Sequence, residues 1–192
     1  DLGVDDISEN GFGRQKNPAL GLRAIRLSLS REHHFRSQLR ALLQAAERFK
    51  IDIILPMISD VAEVQRTKEI IYEEKVKLES RGIEFGRLGI GAMIEVPAAV
   101  VLINEILEEV EFISLGTNDL VQYLLAVDRD NEAVADSFRT LSPAVIRSVA
   151  TVIEAAGRAA KPLIICGEMA GSPYYVPLLV GLGATELSMN PN

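Results

Sequence analysis

Apolar strands alternate with amphipathic helices five times along 192 residues, which predicts an α/β fold with a parallel sheet. Two further observations narrow it to part of a (β/α)8 TIM-type barrel. No Gly-rich nucleotide fingerprint follows any strand. Three strands instead lead into chemically useful residues: Glu95, Asn118-Asp119 after Gly116, and Cys166. An open doubly wound sheet is the alternative topology. A complete barrel takes about 250 residues, so a partial barrel short of two or three units is expected. The chain starts at Asp1 without Met and stops at Asn192 just after an apolar segment. It is therefore read as a single domain, 1–192, cut from a longer polypeptide.

Each element has its own signal. Residues 1–18 are rich in Gly, Asn and Asp and read as an irregular loop, with Arg14 and Lys16 adding local positive charge. Asn17-Pro18 is expected to start a short helix with Leu20, Ile25 and Leu29 inward. Phe35, Leu39, Leu42, Ala46 and Phe49 keep helical spacing and predict a helix over 31–49. His33 and His34 in its first turn point in different directions, which makes a poor metal pair. Ile51–Leu55 is a β-branched strand. Ser59 or Asp60 caps the next helix, with Glu63 in its first turn and Val61, Val64, Ile71 and Leu78 as the inner stripe. Its many Lys and Glu read as a solvated face.

The strand 88–94 ends at Glu95. Pro97 suits the first turn of a helix that buries Val100, Val101, Ile103 and Leu107. The strand 112–115 stops at Gly116, and Thr117, Asn118 and Asp119 read as a polar loop before a short helix ending at Asp128-Arg129. Ser142-Pro143 opens a helix whose inner positions are Ile146, Val149, Ile153, Ala156 and Ala160. The strand 163–165 runs into Cys166 and a Gly-rich loop. Ser172-Pro173 starts another helix, and 185–189 is the last strand.

Composition sets the function classes. With 48% hydrophobic and 24% charged residues, the chain is an ordinary globular protein. A formal charge of -7 and the lack of a Lys/Arg cluster argue against nucleic acid as a partner. No apolar run approaches the roughly 20 residues of a membrane span, and the acidic N-terminus is no signal peptide. The single cysteine, Cys166, excludes an intrachain disulfide and fits a reducing, cytoplasmic setting.

In a barrel the three strand ends converge on one mouth. Glu95 and Asp119 are hard oxygen ligands of the kind that hold Mg2+ with waters and a ligand's oxygens. Asn118 can donate to an oxyanion without adding charge. Arg129 and Arg23 offer planar forks for phosphate or carboxylate. Cys166 precedes a helix start, which suits a proton donor or acceptor. Each has a plainer role when taken alone. A strand-end carboxylate caps a helix or pairs with an arginine, a lone Cys is a small buried hydrophobe, and Asn118 is a turn residue. Together they point to a metal-dependent enzyme acting on a small anion.

Four ordered stretches raise the specificity. Asn17-Pro18-Ala19-Leu20-Gly21-Leu22-Arg23, Met93-Ile94-Glu95-Val96-Pro97, Gly116-Thr117-Asn118-Asp119-Leu120 with Ala126-Val127-Asp128-Arg129, and Cys166-Gly167-Glu168-Met169-Ala170-Gly171 resemble motifs of the enzymes that use phosphoenolpyruvate (PEP). Ala-Val-Asp-Arg, Gly-Glu-Met-Ala-Gly and Leu187-Ser188-Met189 are more similar to the enzyme I branch of the bacterial phosphotransferase system than to pyruvate phosphate dikinase or PEP synthase. The resemblance implies a PEP-binding (β/α)8 barrel seen from its fourth to its eighth strand. It makes Glu95 and Asp119 Mg2+ ligands, and Asn118, Asp119, Arg129 and Arg23 the substrate site. It makes Cys166 the proton donor to the pyruvate enolate.

The implied reaction is Mg-dependent transfer of the PEP phosphoryl group to a histidine on a separate domain. A histidine phosphocarrier protein is then the downstream partner, and the chain a cytoplasmic homodimer. Neither His33 nor His34 has the Thr-Ser-His context of the family's acceptor. Gly3-Val4-Asp5-Asp6 replaces the usual Gly-Gly-Asp-Lys, and Ser172 stands where an acidic residue is common. Two further substrate arginines belong to earlier strands. The 192 residues alone are expected to bind PEP weakly and to transfer no phosphate. Competing readings are a dikinase- or synthase-type barrel, a Mg-enolate aldolase or lyase, and a non-catalytic PEP-sensing module.

Overall fold

The computed structural model describes residues 17–191. The loop expected over 1–18 lies, up to residue 16, outside the described residues, as do Arg14 and Lys16. Five strands form one sheet: β1 Ile51–Leu55, β2 Leu88–Ile94, β3 Phe112–Gly116, β4 Leu163–Cys166 and β5 Glu186–Leu187. They lie in chain order and every neighbouring pair is parallel. A doubly wound sheet reverses its order part-way across; this one does not. Parallel neighbours joined in chain order take right-handed crossovers, which carry the connecting helices to one face of the sheet. That is the wall of a (β/α)8 barrel, so the sheet is a partial barrel and the doubly wound alternative is excluded.

Burial follows the same one-sidedness. Leu55, Ala92, Ile94, Ile113, Leu115 and Ile165 are at most 3% exposed and form the core with the helices. On the opposite face Asp52, Ile54 and Glu186 are exposed. Gly89 and Gly91 lie flat on that face because the Asp52 side chain and the Phe112 ring fill the space a Cβ would need. This is the inner face of the barrel wall.

The helices are α1 Ala24–Ser30, α2 Glu32–Ala45, α3 Val61–Ser80, α4 Pro97–Val101, α5 Ile103–Glu109, α6 Thr117–Leu125, α7 Pro143–Ala159, α8 Glu168–Gly171 and α9 Val176–Gly181. Several differ from the sequence expectation. Asn17-Pro18 opens only a 3-10 turn, Pro18–Leu20, and Leu20 is 63% exposed. α2 stops at Ala45, which leaves Phe49 outside the core. The helix after Pro97 breaks at Leu102 (φ -93°, ψ 21°), and the break turns Val101 to solvent at 80% exposure. α7 buries Val145 and Val152 where Ile146 and Ala160 were expected. Ser172-Pro173 starts no helix; α8 begins earlier and α9 later. The last strand shrinks to two residues.

α3 follows its capping signal. The Asp60 carboxylate accepts from the Ala62 N–H at 2.8 Å, and Glu63 accepts from the Asp60 N–H at 3.0 Å. Its charged face is not simply solvated. Glu74 is fully buried against α2 and receives Arg36 at 3.2 Å, Arg40 at 2.7 Å and Lys77 at 2.7 Å. Arg66 and Arg36 also share Glu32, at 2.7 and 3.0 Å.

Candidate functional site

The polar residues gather at the C-terminal ends of β2, β3 and β4, the end at which barrel enzymes carry their chemistry. β2 delivers Glu95, which is only 4% exposed. Its Oε1 accepts from the Met57 N–H at 2.7 Å, just past the end of β1. Met57 takes a left-handed backbone (φ 61°) to present that N–H. Burial pushes the Glu95 carboxyl up to about 7 against the opposing Met57 hydrogen bond; neighbouring Asp119 adds to the rise and Arg23 opposes it.

β3 delivers Asn118 and Asp119, but not on a loop. α6 begins at Thr117, directly after Gly116, so both lie in its first turn. The extended strand passes into helix without an intervening loop. The Thr117 hydroxyl donates to the Cys166 carbonyl at 2.8 Å and pins that turn to β4. Gly116 is glycine for lack of room: a Cβ there would lie 2.7 Å from Glu95 Oε2. Gly167 has φ 90°, and a Cβ on it would collide with Thr117 Oγ1.

Asp119 is the hub of the cluster. Arg23 lies 3.9 Å from its Oδ2 and Arg129 lies 3.7 Å from its Oδ1. Oδ1 is buried, and no hydrogen-bond donor among the described residues reaches it. Arg129 returns to the site because Ala126 is left-handed (φ 52°) and reverses the chain after α6. The Gln122 side chain then accepts from the Arg129 N–H at 3.1 Å. Asn118 Oδ1 accepts from the Glu168 N–H at 2.9 Å, which leaves its amide N–H2 as donor. The Cys166 thiol donates to the Leu115 carbonyl at 3.4 Å and lies 3.5 Å from the Ser114 hydroxyl.

A cavity of about 410 Å3 opens beside these groups, lined by Asn118, Arg129, Asp130, Ala135, Phe138 and Glu168. A larger hollow of about 940 Å3 sits at the other ends of the strands, around Asp52, Gly89, Phe112 and Glu186. It lies away from the Glu95–Asp119 pair, under the uncovered inner face. The structure thus brings Glu95, Asp119, Arg23 and Arg129 into one cluster. Asn118 and Cys166 stand on the neighbouring β3–β4 side. Sequence reasoning gave no role at the site to Thr117, Ser114, Met57 or Tyr123. Only Tyr123 had a legible signal, since it falls one helical turn after Asp119.

Sequential parallel strands with a carboxylate pair, two guanidinium groups, an amide and a thiol at their C-terminal rim define a barrel-type α/β domain with a polar rim site. The chain belongs to the PEP-utilising enzymes: residues 2–192 match the family's PEP-binding domain. A phosphoenolpyruvate-protein phosphotransferase of Cupriavidus necator is 46% identical over 195 residues, covering 100% of this chain and 33% of that protein. One of Bacillus subtilis (strain 168) is 44% identical over 192 residues, covering 99% and 34%. The chain therefore spans about a third of the length of these curated relatives. Among solved structures, a citrate lyase from Burkholderia xenovorans LB400 is similar with a TM-score of 0.61 at 20% identity, covering 82% of this chain and 51% of that one. A pyruvate kinase from Cryptosporidium parvum gives 0.57 at 17% identity, covering 81% and 29%. At such identities the likeness concerns the fold alone.

Proposed function

We propose that this chain is the PEP-binding part of a PEP-protein phosphotransferase, in which the phosphoryl group of PEP passes to a histidine on another domain and pyruvate is released. The observation that carries the reading is the pair of buried Glu95 and half-buried Asp119, flanked by Arg23 and Arg129, in a chain that matches a PEP-binding domain over 2–192. The names of the relatives support it.

The carboxylate pair fits a divalent cation. Asp119 Oδ1 is buried with no donor among the described residues, and Glu95 is nearly closed to water. Glu95 and Asp119 would hold Mg2+, which when bound supplies positive charge to the enolate oxygen of the departing pyruvate. Arg23 and Arg129 bind the phosphate and carboxylate of PEP as planar forks. Asn118, anchored through Oδ1, turns its amide N–H2 to a substrate oxygen. As the bridging oxygen–phosphorus bond breaks, the electron pair stays on the enolate. The Cys166 S–H then protonates carbon 3 and is left as thiolate. The Ser114 hydroxyl beside the sulfur is placed to hold that thiolate.

By the family resemblance, a histidine phosphocarrier protein is the proposed partner, a homodimer the proposed assembly, and the cytoplasm the proposed setting. The test is Mg-dependent exchange of deuterium into carbon 3 of pyruvate by the full-length protein. Cys166→Ala is expected to slow exchange at least about 100-fold. Undiminished exchange removes Cys166 from the mechanism, and retro-aldol cleavage of a 2-keto acid by that variant turns the reading to a lyase.

A further inference from the structure

The segment Asn17–Arg23 carries Arg23 to the rim with three of its own side chains turned to solvent. Asn17, Pro18 and Leu20 are exposed, so little apolar burial fixes the backbone. Hydrogen bonds fix it instead. The Tyr123 hydroxyl donates to the Ala19 carbonyl at 2.6 Å, joining positions 104 residues apart. Arg26 Nη1 donates to the Leu20 carbonyl at 3.1 Å and to the Gly21 carbonyl at 3.4 Å. Directly after Arg23, Ala24 is buried in a left-handed conformation (φ 52°). The left-handed region disfavours alanine, so tertiary contacts must impose the turn.

Tyr123 lies four residues after Asp119 on α6, one turn along the same face. That face therefore makes two contacts with the segment. Asp119 meets the Arg23 guanidinium at 3.9 Å, and Tyr123 grips the backbone four residues before it. Burial, and then the Asp119 carboxylate, push the Tyr123 hydroxyl's pKa up, which keeps the phenol a donor.

We propose that Tyr123 is a positioning residue: its phenol clasps the 17–23 backbone so that Arg23 is presented to the anion bound beside Asp119. This rests on the reading of Arg23 as a substrate ligand. The phenol touches no substrate atom. It acts by removing freedom that Arg23 would otherwise lose on binding.

The test is a double-mutant cycle in the full-length protein, with affinity for phosphoglycolate in the presence of Mg2+ read by calorimetry. Phosphoglycolate has the phosphate and carboxylate of PEP but no enol, so no turnover intervenes. Tyr123→Phe should weaken binding about 3- to 10-fold and raise the KM for PEP by a similar factor, with kcat little changed and the melting temperature preserved. In an Arg23→Ala background the same change should cost less than about twofold. Arg26→Met, which removes the guanidinium contacts with the Leu20 and Gly21 carbonyls, should show the same coupling to Arg23. Unchanged affinity in Tyr123→Phe, or a full additional loss beside Arg23→Ala, overturns the clasp while leaving Arg23 as a ligand. Unchanged affinity in Arg23→Ala alone overturns the ligand reading, and the clasp with it.

Discussion

At the scale of single residues, the site depends on where side chains are missing. Gly116 lies under Glu95, and a Cβ would come within 2.7 Å of Oε2 and 3.0 Å of the Glu95 Cβ. Neither atom can retreat, because Oε1 is fixed by the Met57 N–H at 2.7 Å. Gly116→Ala should therefore move the Glu95 carboxylate and lower stability by about 1–3 kcal/mol. Under the proposed function, PEP-dependent pyruvate formation should fall about 100-fold, since misplacement of catalytic groups by about 1 Å costs that much. Steady-state kinetics and a denaturation curve on the same preparation check both numbers. Full activity with Gly116→Ala would show that Glu95 has room to spare. The strand-end residues were legible because a polar group after an apolar run stands out. The glycines' reason was not, because it lies in a neighbouring strand.

At the scale of elements, α2 and α3 are joined by charge as well as by apolar packing. Burial alone would raise the Glu74 carboxyl, but Lys77, Arg40 and Arg36 outweigh it and hold it down to about 2. An unfolded glutamate titrates near 4.3, by the usual reference value of about that figure. The folded state thus binds this proton less tightly than the unfolded chain. Its contribution is complete above the unfolded pKa and is lost as pH falls through about 2. Glu74→Gln should cost about 1–3 kcal/mol at neutral pH and flatten the loss of stability between about pH 4.5 and 2. The full ~3–5 kcal/mol of a broken buried pair is not expected, because Arg36, Arg40 and Lys77 keep 17–48% of their side-chain exposure. Urea midpoints across that pH range decide it, and a parallel acid profile for wild type and Glu74→Gln would refute it.

The existence and order of these elements were legible, since period-2 and period-3.6 patterns are local. Their ends were not. Leu102 breaks a pattern that continues on paper, and Thr117 enters a helix although three small polar residues suggest a loop. The second outcome reflects a tertiary contact, the Thr117 hydroxyl on the Cys166 carbonyl, that overrides local preference. The buried Glu74 escaped notice because charge periodicity on a helix does not show what packs against it.

At the scale of the whole molecule, one face of the sheet is packed dry against the helices. Leu115→Ala in central β3, fully buried, should lower stability by about 2–5 kcal/mol. Val101→Ala should change it by less than about 0.5 kcal/mol, although both positions read as core from periodicity. Denaturant midpoints at constant slope measure the contrast.

The Tyr123–Ala19 contact also bears on time. It joins points 104 residues apart, and loop closure over that span precedes any gain from the contact. At roughly 5–20 residues per second, a ribosome releases Ala19 about 5–20 s before Tyr123. Throughout that interval the arginine-bearing segment has neither its phenol nor its acidic partner. The rim cluster therefore cannot be present in a nascent chain that stops short of α6.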